Sequence, residues 1–187
     1  MSRKIIFQMM VSLDGYFEGP DKELDWHLVD DEFNEYAGEL LDSVDAILFG
    51  RVTYQLMADY WPTEAAKHES PAIAKKMNAL HKIVFSTTLA QAQWHNTTLI
   101  KDDALKEVSK LKRQHGQDLV IFGSSDLAVS LIDSALIDEF RILINPVVLS
   151  GGKSLLKGMK SRLDLDFISA KVFGSGLVML RYRPSLR

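Results

Sequence analysis

The chain is 187 residues long, 47% hydrophobic and 25% charged, with a formal net charge of -3 and no cysteine. Those values are expected of one soluble globular domain, spanning 1–187, with length enough to bury a substantial core. The charge disfavours a dedicated nucleic-acid binder, whose footprint is basic, and the lack of cysteine excludes disulfides, thiolate metal ligands and cysteine nucleophiles.

Lys4 to Val11 is an apolar run broken only by Gln8 and reads as a buried first strand. Gln8, Asp14 and Glu18 come too soon for a signal peptide, and no apolar run is long enough to cross a bilayer, so a cytoplasmic protein is expected. Ser12 to Phe17 is a turn-rich exit, and Gly19-Pro20-Asp21 breaks the chain again. From Asp30 or Asp31 the pattern turns helical, with Phe33, Tyr36, Ala37, Leu40 and Leu41 on one stripe behind an acidic first turn. Ala46–Phe49 reads as a strand, followed by a helix from Thr53 to about Tyr60 with Thr53 as its N-cap. Ala65 to Ser70 is polar and is expected to be a mobile surface loop; Ser70-Pro71 then opens a helix carrying Ile73, Met77 and Leu80.

Lys82–Ser86 and Thr97–Ile100 read as short strands, and a helix follows from Asp103 to about Gln114 with Leu105, Val108 and Leu111 inward. Asp118–Phe122 is a further strand. It runs through Gly123-Ser124-Ser125 into a helix bearing Leu127, Leu131, Ile132 and Ala135. Phe140–Asn145 is a strand stopped by Pro146, and Leu165–Phe173 with Leu177–Tyr182 flank Gly174-Ser175-Gly176 as a hairpin. Strands alternating with helices predict an α/β fold with a mostly parallel central sheet, and the hairpin adds antiparallel strands at one edge.

In such sheets ligands bind beyond the carboxyl ends of the strands. Three exits carry the groups a phosphate needs: Gly50-Arg51-Val52-Thr53, Ser86-Thr87-Thr88 and Gly123-Ser124-Ser125-Asp126. Glycine lets a backbone approach a phosphate, amides at a helix start donate to it, and hydroxyls with an arginine complete the contacts. Ser and Thr are also ordinary caps and turn formers, so the signal lies in their joint placement, which points to a phosphorylated cofactor. No Gly-x-Gly-x-x-Gly follows the first strand and no Gly-Lys-Ser/Thr occurs, which disfavours the common dinucleotide and triphosphatase folds. His27, His68, His81, His95 and His115 lack metal-ligand spacing, so no metal is expected. No serine has a His/Asp pattern that supports a hydrolase.

Ser12-Leu13-Asp14-Gly15-Tyr16 and Leu48-Phe49-Gly50-Arg51-Val52-Thr53-Tyr54 resemble the dihydrofolate reductase superfamily, as do Lys82–Ser86 and Val120–Ser125. Leu136–Glu139, Asn145–Gly152 and Ser12–Gly15 are most similar to the reductase domain of bacterial riboflavin biosynthesis, especially its stand-alone relatives. The resemblance spans nearly the whole chain in the right order. It implies NADPH as cofactor, with Gly50, Arg51 and Thr53 at its phosphates, and with Ser86, Thr87 and also Thr88 near the adenosine 2′-phosphate. Gly123, Ser124, Ser125 and Leu127 would lie at the pyrophosphate, and Gly151 and Gly152 would border the nicotinamide or form a plain flexible loop. An arginine with hydroxyls suits an extra phosphate, whereas NAD sites favour a carboxylate to the ribose.

The resemblance also places the loop holding Asp14 beside nicotinamide and substrate, where it would orient substrate or relay a proton; an Asp-Gly turn former is the other reading. Asp30, Asp31 and Glu35 lie where folate reductases put a substrate-binding carboxylate, and first-turn capping is the alternative. Asn78–Lys82 lacks the arginine that folate reductases use for a glutamate tail. The Arg-x-Asp-x-Pro-x-Leu stretch of the riboflavin-pathway reductases is replaced by Tyr54–Pro62. Tyr54, Tyr60 and Trp61 read as an aromatic wall for a flat substrate or as core and dimer-contact residues. The expected activity is hydride transfer from NADPH to a small heterocyclic substrate, pteridine- or pyrimidine-like, in a homodimer. A non-catalytic NADPH-binding sensor or interaction protein is the alternative.

Overall fold

The computed structural model describes residues 2–123 and 125–185. Ser124, one of the expected phosphate contacts, lies outside the described residues. Strand β1 (Ile5–Ser12) is buried along nearly its whole length, because Ile5, Phe7, Met9 and Val11 face one layer of helices and Ile6 faces the other. Around it the described residues form one large sheet from β3 (Val44–Gly50), β4 (His81–Phe85), β5 (Thr97–Ile100), β6 (Asp118–Phe122), β7 (Glu139–Asn145), β9 (Leu165–Val172) and β10 (Val178–Pro184). The order is β5-β4-β3-β6-β1-β7-β10-β9. Pairing from β5 through β7 is parallel, and the β9–β10 hairpin joins β7 antiparallel. The expected mostly parallel sheet with a terminal antiparallel hairpin is therefore present.

Helices α1 (Asp31–Asp42), α2 (Arg51–Tyr60) and α4 (Pro71–Ala79) cover one face, packing Tyr36, Leu40, Tyr54, Ile73 and Met77 on Ile47, Phe49 and Val84. Helices α5 (Ala104–Arg113) and α6 (Ser125–Asp133) cover the other, with Val108, Ala128 and Leu131 on Phe7 and Ile121. No helix among the described residues is long and apolar enough to cross a membrane.

Four local expectations are corrected. The polar Ala65–Ser70 stretch is not a loop: helix α3 (Glu64–Glu69) forms there, capped by the Thr63 side chain on the Ala66 amide, with Ala66 fully buried. Thr53 does not cap α2, which starts two residues earlier at Arg51 with Gly50 in the cap position and no side-chain cap. Glycine brings no side chain of its own to cap α2. Ala135 is not on the α6 stripe but past its end at φ 54, where the amides of Ala135 and Leu136 close the helix on the carbonyls of Ile132 and Leu131. The turn-rich exit from β1 contains a short strand, β2 (Tyr16–Glu18), paired with β8 (Lys153–Ser154).

Lys82, in β4, is fully buried, and no carboxylate is paired with it among the described residues. Its Nζ donates to the carbonyls of Met77 (3.1 Å) and Asn78 (2.8 Å) at the end of α4, and sits 4.6 Å from the Trp94 ring centroid. The cation thus satisfies the negative end of a helix, while burial lowers its pKa from 10.5 to about 8. The unfolded chain consequently binds the extra proton between those two values, so stability should rise as pH climbs from about 8 to 10.5. The rise should be on the order of 2 kcal/mol and should be flattened in Lys82→Met. Urea melts at pH 7.5 and 10 measure it.

Candidate active site at the strand exits

All parallel strands end at one edge of the sheet, so every exit singled out in the sequence meets there. From β4 to β7 the order along that edge is Ser86-Thr87, Gly50-Arg51, Gly123, Asp14 and Asn145, fixed by the strand order. The edge is not level. β6 pairs with β1 only as far as Phe122 opposite Gln8, and the Gly123 amide adds a last bond to the Gln8 carbonyl at 3.2 Å. β1 continues beside β7 to Ser12 opposite Asn145. Four residues of β1, about 13 Å of strand, therefore run past the end of β6. The edge of β1 from Met9 to Ser12 has no strand against it on that side among the described residues. The result is a notch between the end of β1 and the β3–α2 turn.

The groups at the notch are held closely. Gly123 has φ 70, and a Cβ built on it would lie 3.4 Å from Thr53 Cγ2 and 3.8 Å from Met9 Cε. Those distances are ordinary contacts with the first turn of α2 and with β1, and it is the left-handed backbone that favours glycine here. Arg51 is exposed, its guanidinium donating to Gln55 Oε1 at 3.0 Å, one turn along the helix. Across the β3–β4 pair Gly50 lies opposite Phe85, which puts the Ser86–Thr87 turn beside Arg51. The Ser86 hydroxyl accepts from the amides of Thr88 (3.2 Å) and Leu89 (2.9 Å), and Thr87 is exposed. At the start of α6 the buried Ser125 hydroxyl donates to the Leu155 carbonyl at 2.8 Å, which leaves that residue's main chain, not its hydroxyl, for a ligand. Leu127 is half-buried against the core.

Asp14 lies in the turn between β1 and β2, where Gly15 takes φ 84. Its carboxylate accepts from the amides of Leu149 (3.1 Å) and Ser150 (2.9 Å) and clasps the loop after β7 to the end of β1. The Ser12 hydroxyl, ahead of those amides, holds the carboxyl below the ordinary range, so Asp14 is ionised at neutral pH. Gly151 and Gly152 follow. A Cβ on Gly152, at φ 124, would fall 2.0 Å from the Glu18 carbonyl oxygen, and one on Gly151 would touch Pro20 at 3.4 Å. Gly152 is explained by the close approach of the β2 and β8 segments, whereas Gly151 makes only ordinary contact.

Asn145 was not marked as a site residue. Fully buried at the end of β7, its Oδ1 accepts from the Leu28 amide (2.9 Å) and its Nδ2 donates to the Val11 carbonyl (3.3 Å). An amide that closes the apolar Ile142–Ile144 run just before proline is the signal that could have found it. The acidic residues of α1 divide: Asp30 caps the helix through the Phe33 amide at 2.7 Å, while Asp31 and Glu35 face the groove toward α4. Tyr54 is core, its hydroxyl accepting from the Trp94 amide; Tyr60 is partly exposed and donates to Glu69 at 2.7 Å.

Below the notch is a polar cluster that also went unmarked. Gln8, Arg141 and Arg181 are in register on β1, β7 and β10. The Tyr36 hydroxyl donates to Gln8 Oε1 at 2.5 Å, and Arg141 reaches that hydroxyl at 3.4 Å. Glu139 Oε1 accepts from the Nε atoms of Arg141 (2.7 Å) and Arg181 (2.9 Å). Burial pushes the Glu139 carboxyl up, but the hydrogen bonds and charges of the two arginines outweigh it and hold the group below its ordinary value.

Residues 3–179 match the model of the RibD C-terminal domain. The chain belongs to the RibD C-terminal domain family. The chain is 34% identical over 180 residues to the uncharacterized protein YyaP of Bacillus subtilis (strain 168), covering 96% of this chain and 94% of that one. A riboflavin biosynthesis protein from Shewanella sp. PV-4 shares the fold at TM-score 0.76 and 22% identity, each chain covered in full. Dihydrofolate reductase from Enterococcus faecalis, complexed with NADP(H), shares it at TM-score 0.65 and 13% identity, covering 98% of this chain and 99% of that one. The dihydrofolate-reductase-like α/β fold expected from the sequence motifs is thus the fold of this chain.

Proposed function

We propose that this chain is an NADPH-dependent reductase, one domain that passes a hydride to a pteridine- or pyrimidine-like ring held at the β1 notch. The observation that carries the reading is the shortened β6, whose Gly123 turn lies against Thr53 while β1 runs on paired with β7 alone. From Thr87 to the β1 edge is three strand spacings, about 14 Å, the reach of an extended dinucleotide. Arg51 and Thr87 would hold the 2′-phosphate, and the first amides of α2 with Gly123 and Ser125 the pyrophosphate. The notch would take the nicotinamide end against the free edge of β1.

NADPH supplies the hydride. The protein's part is alignment of donor and acceptor and exclusion of water, which is most of what hydride transfer needs. Asp14, ionised and accepting from Ser12, Leu149 and Ser150, fixes the loop at residues 149–150 and would orient the substrate or relay a proton through water. The proton that accompanies the hydride then comes from solvent.

Fluorescence titration with NADPH, followed by loss of its absorbance against pteridine and aminopyrimidine acceptors, tests the reading. Micromolar binding with acceptor-dependent oxidation is expected. Binding without oxidation of any acceptor would make the chain a sensor, and no binding would end the proposal. Gel filtration with light scattering checks the homodimer that the reading also includes.

A further inference from the structure

Resting on the homodimer named in that reading and not on its chemistry, we infer that two copies of this chain join edge to edge through β9, antiparallel about a two-fold axis between Ile168 and Ser169. β9 ends the large sheet, and among the described residues no strand pairs with its outer edge. That edge is eight residues long, about 26 Å of backbone amides and carbonyls without a ladder partner. The strand is apolar for so open a position. Phe167 and Val172 are 62% and 71% exposed, and Leu165, Ile168 and Ala170 are exposed beside them. A lone surface hydrophobe needs no explanation, but five on one unpaired strand mark an interface.

The register with β10 sorts these side chains. Leu165, Phe167, Ala170 and Val172 lie opposite Pro184, Tyr182, Leu180 and Val178. Those four alternate along β10, so the β9 residues opposite them share one face. It is the face away from Met179, which packs in the core beneath α1. The bulge at Arg181/Tyr182 leaves Ile168 as the extra residue, which puts Phe167 and Ala170, three apart in sequence, on the same side. The Phe167 ring rests against Tyr182 at a centroid distance of 5.8 Å.

A two-fold axis normal to a sheet keeps each face on its own side, so residues that meet across it must share a face. The register that pairs the whole of β9 with itself meets this condition because of the bulge. It sets Leu165 against Val172 and Phe167 against Ala170 of the second copy, each pair twice, large beside small on the apolar face. On the opposite face, where Asp166 and Lys171 oppose Arg183 and Met179, Asp166 meets Lys171 of the second copy, again twice. Both charges are accessible, Asp166 beside Arg183 at 3.6 Å and Lys171 beside Glu32 at 3.1 Å. One strand thus supplies both halves of an apolar match and of a charged match. That self-complementarity is the isologous pattern of a two-fold dimer and selects a second copy over an unrelated partner. The two sheets become one, with the strand-exit edges of the two copies pointing in opposite directions.

Sedimentation equilibrium on the full chain tests the face, and charge reversal tests the register. At tens of micromolar the wild type should run at twice its chain mass of 21.1 kDa. Phe167→Lys should raise the dimer Kd about 100-fold, because it places a cation in the apolar stripe twice over. Asp166→Lys or Lys171→Asp alone should raise it about 10-fold by opposing like charges across the strands. The two reversals together should bring it back to within about threefold of the wild type, since each pair is restored with its signs exchanged. Thermal melts check that the variants fold, and Ala170→Arg repeats the test of the stripe if Phe167→Lys melts early. A monomeric wild type overturns the inference, as does a dimer that neither stripe variant weakens. Failure of the double reversal to recover the single losses overturns the register. Loss of the reductase reading shows separately, as absent NADPH binding by a dimer that forms through β9.

Discussion

Replacing Glu139 by alanine should destabilise the protein by about 3–5 kcal/mol, the largest effect expected of any single charged residue here. Glu139 is 6% exposed and is the shared acceptor for two guanidinium groups. Removing it strands Arg141, whose side chain is 13% exposed, next to the Tyr36 hydroxyl with no counter-ion. Arg181 is more exposed and can turn to water, so the loss is concentrated on Arg141. Glu139→Gln keeps an acceptor and should lose about half as much. Glu139→Met combined with Arg141→Met should recover most of the deficit, because it removes the charge together with its partner.

The acid limb of stability gives a second readout. Glu139 titrates below its ordinary value in the folded state, so its contribution is complete above the unfolded value of 4.5 and is lost as pH falls through the folded one. Denaturant melts from pH 7 to 3 should show a steeper decline for the wild type than for Glu139→Gln. An unchanged limb in the variant would mean that the two arginines do not hold the carboxylate as the geometry indicates.

The cluster around Glu139 also shows what the chain hides when read alone. Apolar runs bounded by Gly, Asp and Pro located nearly every strand of the large sheet, because a strand buried on both faces needs such a run and little else does. Gln8 interrupts one of those runs, and Glu139 and Arg141 flank Phe140 in another. Their meaning depends on the register that puts Gln8, Arg141 and Arg181 side by side, and register is a property of three distant segments. The strand exits were legible for the opposite reason, since the glycine and hydroxyl residues that form them are contiguous. Their roles were less so. Ser125 and Gly152 also carry structural contacts that contiguity does not reveal, the Ser125 hydroxyl donating to the Leu155 carbonyl and Gly152 lying against the Glu18 carbonyl. Asp14 combines both readings, a turn former whose carboxylate also fastens the loop at residues 149–150. Short elements were the main misses: β2 and β8 are too brief for periodicity to register, and α3 is six residues held by one cap and one buried alanine.

Arg51→Ala should discriminate between cofactors more sharply than any other substitution at the edge. Its guanidinium is exposed at the start of α2, where it donates to Gln55, and stands beside the Ser86–Thr87 turn across the β3–β4 pair. A charge-assisted contact to a phosphate is worth about 1.5–3 kcal/mol, so the Kd for NADPH should rise about 10- to 100-fold. NADH lacks the 2′-phosphate and should lose no more than about threefold, through weaker long-range attraction alone. Arg51→Lys keeps the charge without the planar fork and should fall between the two for NADPH. Thermal melts without ligand should coincide for the three proteins, because the residue is outside the core and caps nothing. Equal losses for NADPH and NADH would move Arg51 to the pyrophosphate, and unchanged affinities for both would remove the Gly50–Thr53 turn from the cofactor site altogether.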